Sequence, residues 1–427
     1  MDKVHKHRKK ISQIFIRLIL TKSTSKVIMK ILVLTTEYPF PETKIETPVV
    51  HFFTKEWIKM GHKVIVIRNK TIFPHVFYWI ATVFKKTVVK LIGNYVETKR
   101  DDGDISFILD GVLVNNMPIF KYIPHGKFPK NSITKQLQKI ARVINLNDFQ
   151  PDVIIGHFYN PQIELVSKLK VIYPQARSCI VLHENPSIIK EKYTKNHLEL
   201  VKSIDVWGFR FQKLQDDFEF IYGNNFKSFI CHSGVPAEYL RNSYRVYKQR
   251  PSKFCFVGQL IPLKRVSDII LALSLSFPNK DFIFNIVGEG FEHANLKKMV
   301  EIMGLIDNVK FLGKQNRNFV QQVLNESDCF VMVSESEAFG LVYLEAMSKG
   351  CLTIGTRGQG IDGVIVNNIN GFLCESKNPE ELSSIFNKII QMPFNELNKI
   401  SKQAIDTARE MTDEKVARKY LDTVLKT

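Results

Sequence analysis

Apolar residues recur along this chain as short runs separated by stretches with helical spacing, the pattern of buried parallel strands alternating with amphipathic helices. Lys30 to Thr36 (KILVLTT) predicts the first strand, and a Pro-bearing loop follows it. Val49 to Lys59 places Val50, Phe53, Trp57 and Ile58 on one helical face, Gly61 ends that helix, and Lys63 to Ile67 supplies the next strand, completing a βαβ unit. Further strands are predicted at Ser106 to Leu109, Val112 to Asn115, Val153 to Ile155, Ser178 to Leu182, Val206 to Phe209 and Phe229 to Cys231. A charged, polar stretch from Ala237 to Lys253 separates this half from a second series. There the predicted strands are Phe254 to Val257, Phe282 to Val287, Val309 to Phe311, Cys329 to Val333 and Leu352 to Gly355, with helices over 266–277, 291–303, 316–326 and 341–349. This alternation predicts an α/β fold of two doubly wound, Rossmann-like domains with a cleft between them, whose ligands sit beyond the carboxyl ends of the strands. We place the domains at 29–240 and 250–405, after a basic extension over 1–28 and before a helix over 406–427 that is free to cross back to the first domain.

One segment departs from the alternation. Val76, Phe77, Ile80, Val83, Phe84, Val88, Leu91 and Ile92 line one helical face while Lys85, Lys86 and Lys90 lie elsewhere around it, an amphipathic basic helix. Two readings stand, a surface helix facing the core and a peripheral membrane contact over 71–92. The formal charge of +18 favours the membrane, because it concentrates anions such as phospholipid headgroups and nucleotide diphosphates around the chain. No nucleic-acid partner is expected, since no recognition motif accompanies that charge, and a basic nucleic-acid-binding protein stands as the less favoured alternative. At the N-terminus, Lys3, Lys6, Arg8, Lys9 and Lys10 precede an apolar stretch, Ile11 to Leu20, that Arg17 interrupts. It is far shorter than the ~20 residues that span a bilayer, so the first 28 residues read either as a surface-seeking arm or as an extension ahead of a start at Met29.

With 427 residues the chain exceeds the roughly 250 at which a single core stops growing, in keeping with two domains. A composition of 44% hydrophobic and 24% charged residues excludes a disordered or membrane-embedded chain. Cysteines at 179, 231, 255, 329, 351 and 374 include no C-x-x-C pair and no histidine partner at zinc spacing, which predicts reduced thiols, no disulfide and no metal site in a cytoplasmic protein.

The most informative stretch is Ser334 to Gly350, SESEAFGLVYLEAMSKG, where a strand ends, a polar loop carries Glu337, and a helix opens near Gly340. An opening helix exposes unpaired N–H groups suited to a diphosphate, and Glu345 stands eight positions after Glu337. In this setting the chain resembles the retaining GT-B glycosyltransferases of the glycosyl transferases group 1 clan, whose signature is E-x7-E. Phe256 to Lys264 (FVGQLIPLK), Val287 to Gly290 (VGEG), Phe311 to Gly313 (FLG) and Gly358 to Ile361 (GQGI) follow the family's order and spacing, so that the resemblance covers 250–376. It implies that Glu337 lies by the donor sugar, that Glu345 holds the ribose hydroxyls, and that Phe339, Gly340 and Leu341 belong to the donor site. It also implies that Lys264, with Gly258, neutralises the donor diphosphate. Gln259 stands where the family has arginine and lacks the charge and fork of a guanidinium; Arg265 is the residue placed to compensate. In the Gly358 to Asp362 loop, Gly360 and Ile361 are the expected phosphate or sugar contacts.

In the first half the family's histidine, in a pattern near T-x-H, matches Val181-Leu182-His183, which makes His183 the catalytic histidine facing the donor sugar; His157 in IIGHFYNP is a second candidate. Ser233 to Pro236 (SGVP) resembles the family's N-G-V-D segment, whereas the family's glycine pair in the first βα loop is missing from TTEYPFPETKIETP. The activity implied is sugar transfer from a nucleoside-diphosphate sugar to a hydroxyl of a lipid-linked or polysaccharide acceptor, with retention, at the inner face of a membrane and without cofactor or metal. Rivals are a GT-B epimerase or phosphorylase and a degenerate sugar-nucleotide-binding protein; the E-x7-E setting is a transferase signature and no cofactor-lysine segment is visible.

Overall fold

The computed structural model describes residues 27–40, 48–84 and 99–426. Its strands form two sheets. The first contains β1 (Lys30–Thr35), β2 (Lys63–Ile72), β3 (Ile105–Leu109), β4 (Val112–Phe120), β5 (Val153–His157), β6 (Arg177–Leu182), β7 (Val206–Phe209) and β8 (Ser228–Ile230), in the order β3-β4-β2-β1-β5-β6-β7-β8. The second contains β9 (Lys253–Val257), β10 (Ile283–Val287), β11 (Val309–Phe311), β12 (Cys329–Val331), β13 (Leu352–Thr356) and β14 (Phe372–Cys374), in the order β11-β10-β9-β12-β13-β14. Every pairing is parallel except that of β3 with β4. The continuous apolar runs of the sequence are buried because helices cover the faces of such sheets.

Some predicted elements differ from the structure. β2 runs on to Ile72 and β4 to Phe120, past the expected ends at Ile67 and Asn115, because polar side chains continue the ladder where the apolar run stops. Arg68 Nη1 donates to Asn116 Oδ1 at 2.7 Å and Gln136 Nε2 to Asn69 Oδ1 at 2.8 Å, all four residues being buried. β3 and β4 are a hairpin rather than successive parallel strands, since Asp110 and Gly111 both take positive φ, 48° and 82°, as a two-residue hairpin turn requires. In the basic amphipathic segment the helix spans His75–Val83; Tyr78 and Ala81 face inward, while Val76, Trp79, Ile80, Val83 and Phe84 are between 40% and 64% exposed. The described part of that helix thus turns its apolar side to the surface, against the core-facing reading. Val88, Leu91, Ile92, Lys85, Lys86 and Lys90 lie outside the described residues, as do residues 1–26 of the basic arm.

The chain passes between the sheets twice, and the passages lie side by side: Val235 N–H donates to Met411 O at 2.9 Å and Asp413 N–H to Val235 O at 3.0 Å. Beyond the second passage the last helix, Asp413–Lys426, packs on the first sheet, with Ala417, Tyr420, Leu421 and Val424 in its core and Trp57 Nε1 donating to Ala417 O at 2.9 Å.

Candidate functional site

The segment Ser334–Gly340 leaves the carboxyl end of β12, and the helix Leu341–Ser348 begins directly after it. Gly340 has φ 72°, and a Cβ there would lie 2.7 Å from the Tyr343 ring, so glycine is required. No side chain caps this helix start, which leaves its first amides and the positive end of its dipole beyond the strand ends. Lys264 Nζ pairs with Glu337 Oε2. The Glu337 N–H donates to Gln359 Oε1 at 3.0 Å and the Gly360 N–H to Glu337 O at 2.9 Å, while a Cβ on Gly360 would meet Ala338 O at 2.1 Å. The loop at Gly358–Asp362 therefore grips the Glu337 segment, with the Gly360 amide engaged there and the Ile361 side chain buried beneath.

Glu345 accepts from Gln321 Nε2 at 3.0 Å, and burial raises its carboxyl pKa against the pull of Arg317 and Lys349. The VGEG run fits beside the Gly258–Leu260 backbone: Cβ atoms on Gly288 and Gly290 would stand 1.8 Å from Gly258 O and 2.1 Å from Leu260 O. Gln259 is exposed at this edge. Arg265 takes φ 53°, and its guanidinium is held by Asp268 at 2.8 and 3.0 Å and by Glu335 at 3.4 Å, so carboxylates already match its charge. Phe339 turns toward the first sheet, where the Arg210 guanidinium carbon is 5.3 Å and the His232 ring 5.6 Å from its ring centre. Gly258, Gln259, Lys264, Arg265, Glu337, Gly340 and Leu341 thus gather at one end of the second sheet.

Facing them, four neighbouring strands of the first sheet each bring a basic side chain to their carboxyl ends: His157 from β5, His183 after β6, Arg210 after β7 and His232 after β8. His157 Nδ1 and His183 Nε2 share a hydrogen bond of 3.1 Å, Tyr420 OH lies 3.4 Å from His157 Nε2, and the Phe158 ring stacks on His183 at 4.0 Å. Arg210 is buried, donating through Nη1 to Cys231 O at 2.6 Å and through Nη2 to Ser233 Oγ at 2.5 Å. Burial first, and then the Arg210 charge, lowers the pKa of His157 to about 3 and of His232 to about 4; the same causes hold His183 well below its ordinary value, with His157 adding to them. With its pKa held down in this way, His183 is a neutral imidazole rather than a cation. Sequence reasoning missed Arg210, His232, Gln321 and Gln359; only Gln359, inside GQGI, lay within a motif. Among the described residues no group of three or more His, Cys, Asp or Glu side chains is placed to hold a metal, and no helix is long and apolar enough to cross a membrane. All six cysteines are free and buried.

Two doubly wound sheets whose carboxyl ends face each other through Phe339, Arg210 and His232 define the GT-B fold. The Anabaena HepE structure with UDP and glucose shares it, at a TM-score of 0.63 and 16% identity over 93% of this chain and 100% of that one. Within that fold, residues 242–407 match the family described as "Glycosyl transferases group 1". Among curated relatives, the N-acetyl-alpha-D-glucosaminyl L-malate synthase of Bacillus anthracis is 41% identical over 26% of this chain and 29% of its own. The GPI3 subunit of phosphatidylinositol N-acetylglucosaminyltransferase from Saccharomyces cerevisiae is 29% identical over 36% of this chain and 32% of its own. The chain therefore spans about a third of the length of these two relatives.

Proposed function

We propose that this protein transfers a sugar from a nucleoside-diphosphate sugar to an acceptor hydroxyl with retention of configuration, the donor bound by the second lobe and the acceptor by the first. The observation that carries the reading is the uncapped helix start at Gly340, set between Glu337 paired to Lys264 and Glu345 held by Gln321. When the diphosphate departs, these amides and Lys264 meet the developing charge, an electrostatic contribution worth about 3 kcal/mol for a single well-placed donor. Glu337, released from Lys264, is then free for the sugar hydroxyls, and neutral His183 hydrogen-bonds the sugar from the opposite lobe. No divalent metal enters this scheme.

The names of the two relatives include an N-acetylglucosaminyl group, with malate in one and phosphatidylinositol in the other as the companion molecule. Those names, the HepE complex with UDP and glucose, and the exposed apolar side of His75–Val83 on a chain of charge +18 support a UDP-sugar donor and a lipid-linked or polysaccharide acceptor at a membrane face. The test is titration calorimetry of UDP-N-acetylglucosamine, UDP-glucose, a GDP-sugar and an ADP-sugar against wild type and Glu345→Ala without added metal. One nucleotide class should bind, about tenfold more weakly to the variant, as expected for loss of a charged hydrogen bond. Binding of none, or unchanged binding by the variant, contradicts the assignment.

A further inference from the structure

We propose that Lys121 and Lys192 form an anion-binding subsite on the rim of the first lobe, so that the acceptor carries a phosphate or carboxylate besides its reacting hydroxyl. The word acceptor rests on the transferase reading; the subsite stands on its own residues. Lys121 follows β4 at the carboxyl edge of the sheet, its N–H donating to Ile72 O at the end of β2 at 2.8 Å. The residue is 8% exposed, yet among the described residues no carboxylate pairs with its ammonium: Nζ lies 4.9 Å from the centre of the Phe128 ring, and the charge that bears on it is the like charge of Lys192. Burial and Lys192 together lower its pKa to about 8.

Lys192 ends the helix Ser187–Lys192, which starts four residues after His183. Its Nζ donates to the backbone oxygen of His125 at 2.5 Å. That bond joins the loop after β4 to the segment after β6, bringing both ammonium groups to the rim that holds His183, although three strands separate β4 from β6 in the sheet. Among the described residues of intermediate burial, Lys70 is matched by Asp101, Lys170 by Asp205 and Lys264 by Glu337, while Lys30 and Lys349 donate to the backbone oxygens of Asp148 and Tyr239.

A buried ammonium with a like charge bearing on it is unfavourable, and an arriving anion removes that cost while gaining charge-assisted hydrogen bonds. A lysine retained only for its stem would extend its head to water or a carboxylate. The position, on the strand ends opposite the donor-binding lobe, suits an anionic group on the acceptor rather than the donor's diphosphate.

The experiment uses the full chain with UDP in saturating amount, so that added anions cannot occupy the diphosphate position. Inorganic phosphate, succinate, and phosphatidylcholine vesicles with or without phosphatidic acid are titrated against wild type, Lys121→Met and Lys192→Met. Phosphate or succinate should raise the melting temperature of the wild type, and each substitution should weaken that binding about tenfold. Lys121→Met should leave the melting temperature in buffer unchanged or higher, because it removes an unmatched charge. Binding confined to the phosphatidic acid vesicles, and dependent on Lys121, assigns the anion to a lipid headgroup; binding of the soluble anions assigns it to a small or detached acceptor. The proposal is overturned if no anion depends on Lys121, or if Lys121→Met melts lower with unchanged anion affinity, as a packing residue would. Lysine-dependent phosphate binding in a protein that ignores UDP would uphold the subsite and remove the donor reading.

Discussion

His157 shows how one buried side chain couples the fold to the candidate site. It is fully buried between the Phe53 and Tyr420 rings, shares a hydrogen bond with His183, and has its pKa lowered from 6.5 to about 3 by burial and by Arg210. The unfolded chain takes up a proton near 6.5 that the folded chain refuses, so the stability from this group is full above that pH and is lost progressively as pH falls toward 3, by up to about 1.4 kcal/mol per unit. His157→Phe should therefore be less acid-sensitive than wild type: the stability difference between the two, from urea unfolding at pH 7.5, 6 and 5, shifts toward the variant as pH falls. A constant difference would show that the imidazole is not held neutral. At this scale the sequence singled out Glu337, Glu345 and Lys264 by their spacing and family resemblance, and the structure pairs Lys264 with Glu337. Arg210 and Lys121 were invisible, because burial without a counter-ion is a property of the fold and leaves no mark on a residue's neighbours in the chain.

Among the elements, the helix Leu341–Ser348 and its glycine start are the decisive ones. Gly340→Ala places a Cβ against the Tyr343 ring at a positive φ, and should lower stability by about 1–3 kcal/mol while displacing the amides proposed to meet the donor. Urea denaturation should show a folded but weakened protein, and calorimetry a loss of nucleotide-sugar affinity; retained affinity would remove the helix start from the site. The helix His75–Val83 makes a separate prediction. Its exposed Trp79 and Val83 are the side chains expected to enter a lipid surface, so Trp79→Ser with Val83→Ser should reduce sedimentation with anionic vesicles without lowering the melting temperature. An unchanged vesicle affinity would place membrane contact elsewhere. The helices predicted over 266–277, 291–303, 316–326 and 341–349 were readable to within a residue or two because their apolar period is regular, whereas Pro379–Gln391 and Phe394–Glu410 were not predicted and the helix expected over 406–427 begins only at Asp413. The first half was harder to read: buried Arg68 and Asn69 disguise the end of β2, and Asp110-Gly111, a hairpin signal in plain sight, was overshadowed by the expectation of parallel strands.

Over the whole molecule, the two passages at Gly234–Pro236 and Met411–Asp413 make the connection a close-fitting joint. A Cβ on Gly234 would lie 2.6 Å from the Asp413 backbone, so the paired segments approach as only glycine permits. Through this joint the last helix returns to the first sheet, and Tyr420 on it reaches His157 and so His183. The alternation of strand and helix made two lobes legible, while the contact of Phe339 with Arg210 and His232 required three dimensions, since it joins loops more than a hundred residues apart. We propose that a nucleotide sugar binds at the Gly340 helix start and is met from the other lobe at His183. Hydrogen exchange of the full chain with and without UDP-N-acetylglucosamine, and with UDP-glucose or a GDP-sugar if that is the donor calorimetry selects, tests it most directly. Protection of the amides at Leu341 and Val342 together with slower exchange in the segment around His183 is the predicted result; binding that leaves the Gly340–Val342 amides unprotected would contradict the account.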